Sequence, residues 1–349
     1  MGRDRKIAIP KLCMSLYNTL VPVFSYGAEV WGPDFINVSF EGAMANPMVQ
    51  EQRAFMRSVV GARSPTMTSL YRELAQRPLQ YHWANLALRF WNSMVKRPGT
   101  LCHRAFVADL GLALEGVTEC WSSKVLTFLT NLGATPPGDL HGHDLIAHYA
   151  TLQLPVGSIL GEFAKRLEAR WVCPNTLGDP RAFPSGVTGV KACRYHNWMG
   201  VTPCEGARPG WPAHAGAPLP QNLHRVLMRF RLGCWELEVN RPNGRERAAR
   251  TCRLCACGAV EDELHVFMEC PAYDSLRARY GSDLGFQGRS MRTIMTEAPQ
   301  LALASFLSEI WETRHVALRR TALKRAREGD DDLSQHRKNP NNCPWPPRL

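Results

Sequence analysis

CRLCACGAVEDELHVFMECPAYDSLRARY, residues 252–280, decides how the rest of the chain is read. Two residues separate Cys252 from Cys255, nine separate Cys255 from His265, and four separate His265 from Cys270. The pattern is C-x2-C-x9-H-x4-C. Two thiolates from one tight turn, an imidazole and a third thiolate make the donor set of a closed tetrahedral Zn2+ site. EDELHVFM predicts a short helix carrying His265, with Cys270 at its end, so that both return to one point. Glu261, Asp262 and Glu263 suit the positive end of that helix, and Pro271 follows Cys270. Cys257 competes with Cys255 for the second ligand position, and the spacing leaves that choice open. Chance is the competing explanation, because a chain with 12 cysteines contains close pairs without any metal. The H-x4-C half makes that coincidence more demanding.

The 349 residues suffice for a real core and more than one sub-domain. Net charge is +11, and residues 221–327 alone hold 18 Lys+Arg, 17 of them Arg, against 12 Asp+Glu. A basic balance suits a polyanionic partner, since Arg and Lys neutralise phosphates and release counterions. The remaining cysteines are scattered, unlike the dense framework of a small secreted domain, which points to a reducing compartment. No apolar run reaches the length of a membrane span. The N-terminal apolar stretch is interrupted by Pro10, Lys11 and Asn18, which argues against a signal peptide. The expectation is a soluble intracellular protein, nuclear or cytoplasmic, with no membrane and no small-molecule substrate.

Working outward, apolar residues recur at helical spacing, and the predicted fold is mainly α. Lys11–Val23 predicts a helix with Leu12, Leu16, Leu20 and Val23 inward, ended or kinked by Pro22. Met48–Val60 is amphipathic, with Met48, Phe55 and Val59 opposite Gln50, Arg53 and Arg57, and Gly61 stops it. Leu79–Lys96 is a long helix with Leu79, Trp83, Leu86 and Phe90 as its stripe; Tyr81, His82 and Trp91 read as core and rim aromatics. Short helices continue through 104–170, where His141, His143 and His148 lack supporting ligands for a metal. Residues 173–220 are rich in Pro and Gly, with Arg194–Trp198 as the one ordered piece. Asn222–Arg231 turns Leu223, Val226, Leu227 and Phe230 inward and leaves Arg225 and Arg229 exposed one turn apart. With Arg245, Arg247, Arg250 and Arg253 of the following basic turn, these are the candidate nucleic-acid contacts. Ala298–Arg327 is a long helix, and 328–349 a charged, Pro-rich tail expected to be disordered.

Set in order, LYNTLVPVFSYGAEVWG (16–32), FMRSVVGA (55–62), LYRELAQRPLQ (70–80), LRFWNSMVK (88–96), RFRLGCWELE (229–238) and the knuckle form a series. That series resembles the C-terminal region of a non-LTR (LINE-type) retrotransposon reverse transcriptase, following the polymerase palm. The likeness spans most of 7–327, although 104–220 adds little, and C-x2-C…E-x-H-x4-C-P-x-Y is its most specific piece. It implies a thumb-like helical part over 1–100 and a helical connector over 101–172. A Pro/Gly-rich linker at 173–220, a basic zinc-knuckle domain at 221–327 and the tail complete the division. It also implies RNA or DNA as partner, either element RNA or target DNA.

Reverse transcription requires aspartates that hold two metal ions. In this family one pair lies in a Tyr/Phe-x-Asp-Asp turn, which this sequence lacks; Asp330, Asp331 and Asp332 stand in a polar tail. Fingers and palm are expected to precede Met1. No strand-like context for a nuclease follows Tyr280. The expectation is a non-catalytic fragment of an RNA-directed DNA polymerase, with a zinc-stapled protein-interaction module or an inert pseudogene product as alternatives.

Overall fold

The computed structural model describes residues 9–43, 45–62, 65–134, 138–169, 190–200, 210–241 and 246–327. Among them the fold is mainly α, with one isolated antiparallel bridge between Thr251 and Val260. The longer helices begin with α1 (Ile9–Phe24), α2 (Pro47–Val60), α3 (Met67–Glu73) and α4 (Leu79–Val95). Next come α5 (Leu101–Leu114), α6 (Trp121–Asn131), α7 (Gly142–Thr151) and α8 (Val156–Ala169). The last are α9 (Val190–Met199), α10 (Gln221–Arg231), α11 (Met291–Glu297) and α12 (Gln300–Arg327).

Local chemistry fixes several ends. The Asn46 side chain accepts from Met48 N–H at 2.9 Å, and Pro47 occupies the first helical position of α2. At the other end Gly61 takes the left-handed conformation (φ 63°), and its N–H returns to the carbonyls of Arg57 and Ser58.

Two hydrophobic cores form. The first joins Met14 and Tyr17 of α1, Met56 of α2 and Leu70 of α3 to Phe230, Phe267 and Phe306 near the C-terminus. The second packs α4 through α8 around Trp83, Trp91, Phe106, Phe128, Tyr149 and Phe163. Each fully buried large apolar side chain contributes about 1.5–3 kcal/mol. Trp91 is fully buried, with its ring 4.8 Å from that of Phe106, and Tyr81 stacks on Phe163, so these aromatics are packing residues. The expected boundary near residue 100 falls between α4 and α5, both members of the second core.

Some expected faces are corrected. In α1, Leu12, Leu16, Leu20 and Val23 are 45, 58, 49 and 69% exposed, while Met14 and Tyr17 point inward. Tyr17 stacks on Phe55 of α2 with ring centroids 5.0 Å apart, and this contact sets the rotation of α1. Pro22 lies inside α1, which runs two residues beyond it. In α2 the buried positions are Val49, Gln52, Met56 and Val60. Gln52 goes inward because its carbonyl accepts from the buried Tyr71 hydroxyl at 2.7 Å. That rotation leaves Arg53 and Arg57 half-buried instead of facing solvent.

Arg194–Trp198 lies within α9. Most of the rest of the expected linker, and the tail, lie outside the described residues. Among the described residues no helix is long and apolar enough to cross a membrane.

Candidate metal centre

The knuckle opens on a short ladder. Cys252 N–H donates to Ala259 O at 2.8 Å and Glu261 N–H to Arg250 O at 2.9 Å, closing residues 252–259 into a tight loop. Within it Leu254 N–H donates to Cys252 Sγ at 3.4 Å, a dipole that favours thiolate. His265 and Cys270 then come from one wide turn: Cys270 N–H donates to His265 O, five residues back, at 2.7 Å. This π-type turn explains how a histidine and a cysteine five positions apart share one face, since an ordinary α-turn would splay them.

The four ligand atoms of Cys252, Cys255, His265 and Cys270 lie within 4.8 Å of one another. Tetrahedral bonds of about 2.3 Å to sulfur and 2.0–2.1 Å to nitrogen require edges of about 3.8 Å between sulfurs and about 3.5 Å between sulfur and nitrogen. Cys252 Sγ is 3.9 Å from Cys270 Sγ, and Cys255 Sγ is 3.4 Å from His265 Nε2. The donor set therefore fits a metal ion. Cys257 stays exposed outside the set, 2.9 Å from Cys255 Sγ, so the geometry places Cys255 in the second ligand position. Hydrogen bonding from the Cys270 thiol pulls Cys252 down to about 3 and pushes Cys270 upward. The pocket thus already stabilises one thiolate.

The acids before His265 do more than face a helix end. All three are buried, each tied to a different segment. Glu261 accepts from Arg314 of α12 through both oxygens at 3.0 and 2.9 Å, and from Glu238 N–H. Asp262 accepts from His265 N–H at 2.9 Å and from Arg247 at 2.6 Å. Glu263 accepts from Arg194 of α9 at 2.5 Å and from Asn240 at 2.9 Å. The triplet anchors the ligand helix to the protein. Sequence reading assigned it only the helix terminus; three consecutive acids in a basic chain were the available signal.

A second buried network was also missed. Glu73 of α3 accepts from the Tyr195 hydroxyl at 2.6 Å and Arg231 Nε at 2.8 Å, and lies 3.0 Å from His214 Nε2. Burial works to raise its pKa, but Arg231, His214 and Tyr195 hold the carboxyl down to about 2. Burial pushes His224, whose ring packs against that of His214, down to about 4.

The expected nucleic-acid contacts divide. Arg247 is bound to Asp262, Arg250 donates to Val239 O at 2.8 Å, and Arg253 pairs with Glu238 at 2.8 Å. These side chains brace the knuckle. Arg229 lies over the Trp311 ring at 5.4 Å. Arg225 lies against Gly61, where a Cβ would stand 3.6 Å from its Cδ. Arg245 lies outside the described residues. Comparisons with protein-family models, curated proteins and solved structures give no match.

Proposed function

We propose that this chain is the C-terminal portion of a non-LTR retrotransposon reverse transcriptase, in which a structural zinc ion staples a basic helical domain that holds element RNA or target DNA. The observation that carries the reading is the closed Cys3His cluster, built at the spacing read from the sequence, which is also the most specific piece of the family resemblance. Cys252, Cys255, His265 and Cys270 would hold the ion, which at a site with four protein ligands contributes folding energy and leaves no open position for catalysis. The net charge of +11 provides long-range attraction for phosphates. Polymerisation would belong to segments outside this chain, and the thiol-rich site suits a reducing intracellular compartment, nuclear or cytoplasmic.

Two measurements test this. Zinc content should be one ion per chain, lost in Cys270→Ala. Affinity for RNA or DNA oligonucleotides should fall steeply with salt; binding that is absent or salt-insensitive would refute the nucleic-acid role. One observation favours a second reading, a protein-interaction module: the exposed apolar stripe of α1. Arg→Ala changes that leave oligonucleotide affinity untouched would favour it.

A further inference from the structure

α2 and α10 pack against each other, and their arginines meet at the seam. Arg53 and Arg57 stand one turn apart on α2, as Arg225 and Arg229 do on α10. Arg225 lies over Gly61 at the end of α2, and Arg57 lies near Cys234, whose N–H closes the end of α10 on Arg229 O at 2.8 Å. Among the described residues no carboxylate pairs with Arg53, Arg57 or Arg225. The Nε atoms of Arg53 and Arg57 are buried without an acceptor. Burial, and then the neighbouring Arg53, lower the pKa of Arg57, with Cys234 opposing them.

Among the described residues the buried arginines 194, 231 and 314 each have a carboxylate, whereas Arg53, Arg57 and Arg225 pair with none. Cations at a helix C-terminus offset the carbonyl dipole, which accounts for Arg57 and Arg225. That effect fades within the last turn, and Arg53 lies a further turn inward, so the dipole does not account for it. Half-buried guanidinium groups with unused planar donors bind phosphate oxygens bidentately.

We infer that the seam between α2 and α10 is a phosphodiester-binding cleft, with Arg53, Arg57 and Arg225 as its contacts and Arg229 beside them. This rests on the nucleic-acid reading above and moves the contact surface away from the knuckle, whose Arg247, Arg250 and Arg253 are already engaged.

The test uses the full chain with three fluorescent 20-nucleotide probes: single-stranded RNA, single-stranded DNA of the same sequence, and duplex DNA. Their relative affinities identify which nucleic acid the cleft takes. In the double variant Arg53→Gln, Arg57→Gln, the slope of log K against log salt should shrink by about 1.4 on single strands and about 1.8 on duplex. The double variant Arg53→Lys, Arg57→Lys should keep the slope near wild type, which separates charge from folding; circular dichroism and the melting temperature check both variants. Retained binding with an unchanged slope in the Gln variant would overturn the cleft and leave the parent reading intact. Equal displacement of the probes by polyglutamate at matched charge would overturn it in favour of an acidic protein partner. No salt-dependent binding by the wild-type chain would overturn both.

Discussion

Replacing Glu73 by Gln removes one charge from a point where four segments meet. Its carboxylate ties α3 to Tyr195 of α9, Arg231 of α10 and His214 of the 210–216 segment, all buried. Gln keeps the shape and a carbonyl acceptor, so the substitution isolates the charge and leaves Arg231 buried without its counterion. The cost follows from the carboxyl itself: the gap between an ordinary value of 4.5 and about 2 is worth ~3.4 kcal/mol at 1.36 kcal/mol per pH unit. Breaking a buried ion pair from one side costs about 3–5 kcal/mol by an independent route. The sign is defined. A carboxyl with a depressed folded pKa adds stability that is complete above the unfolded value and is lost as pH falls from about 4.5 towards about 2. Urea denaturation of wild type and Glu73→Gln should differ by ~3 kcal/mol at pH 7, and the difference should narrow below about pH 4.5. A difference under ~1 kcal/mol at pH 7, or one that does not change with pH, would refute the reasoning.

Zinc content should stay at one ion per chain in Cys257→Ser and vanish in Cys270→Ala, measured by metal analysis after gel filtration; equal loss in both would return Cys257 to the ligand set. Burial holds His224 neutral with a folded value of about 4, so wild-type stability should fall by ~3 kcal/mol as pH drops from 6.5 to about 4, because the unfolded chain takes up the proton first. His224→Gln should flatten that part of the stability curve, and an unaltered curve would count against the assignment. Gly61→Ala should cost ~1 kcal/mol in a thermal melt, because φ 63° strains any Cβ although the space beside Arg225 is open enough to hold one.

The parts of the site legible in the sequence are the local ones. Cys252, Cys255, His265 and Cys270 are written within one short stretch, and donor chemistry plus spacing suffice to group them. Choosing Cys255 over Cys257 required the direction in which the loop turns, which no spacing encodes. Helix positions followed from apolar periodicity, but the inward face of α1 did not. Both Leu12-Leu16-Leu20 and Met14-Tyr17-Val21 are apolar stripes, and the Tyr17–Phe55 stack chose between them. Glu73 was invisible because its partners lie 122 and 158 residues downstream. The knuckle arginines looked like a phosphate face for the same reason: the acids that engage Arg247 and Arg253 are recognisable only once the chain is folded.

The division of the two cores sets an order of assembly. Every member of the second core lies between residues 28 and 167, whereas the first draws on 14–74 and then on 195–311. The chain therefore leaves one core unfinished, completes another, and returns. During synthesis from the N-terminus, the second core has all its parts while residues beyond 167 are still unmade. α1, α2 and α3 must meanwhile wait with one side open until the last helix is translated. Chaperone demand and premature cleavage should concentrate on that interval, and fragments ending before residue 300 should retain protection in 79–167 while losing it in 9–24 and 47–73.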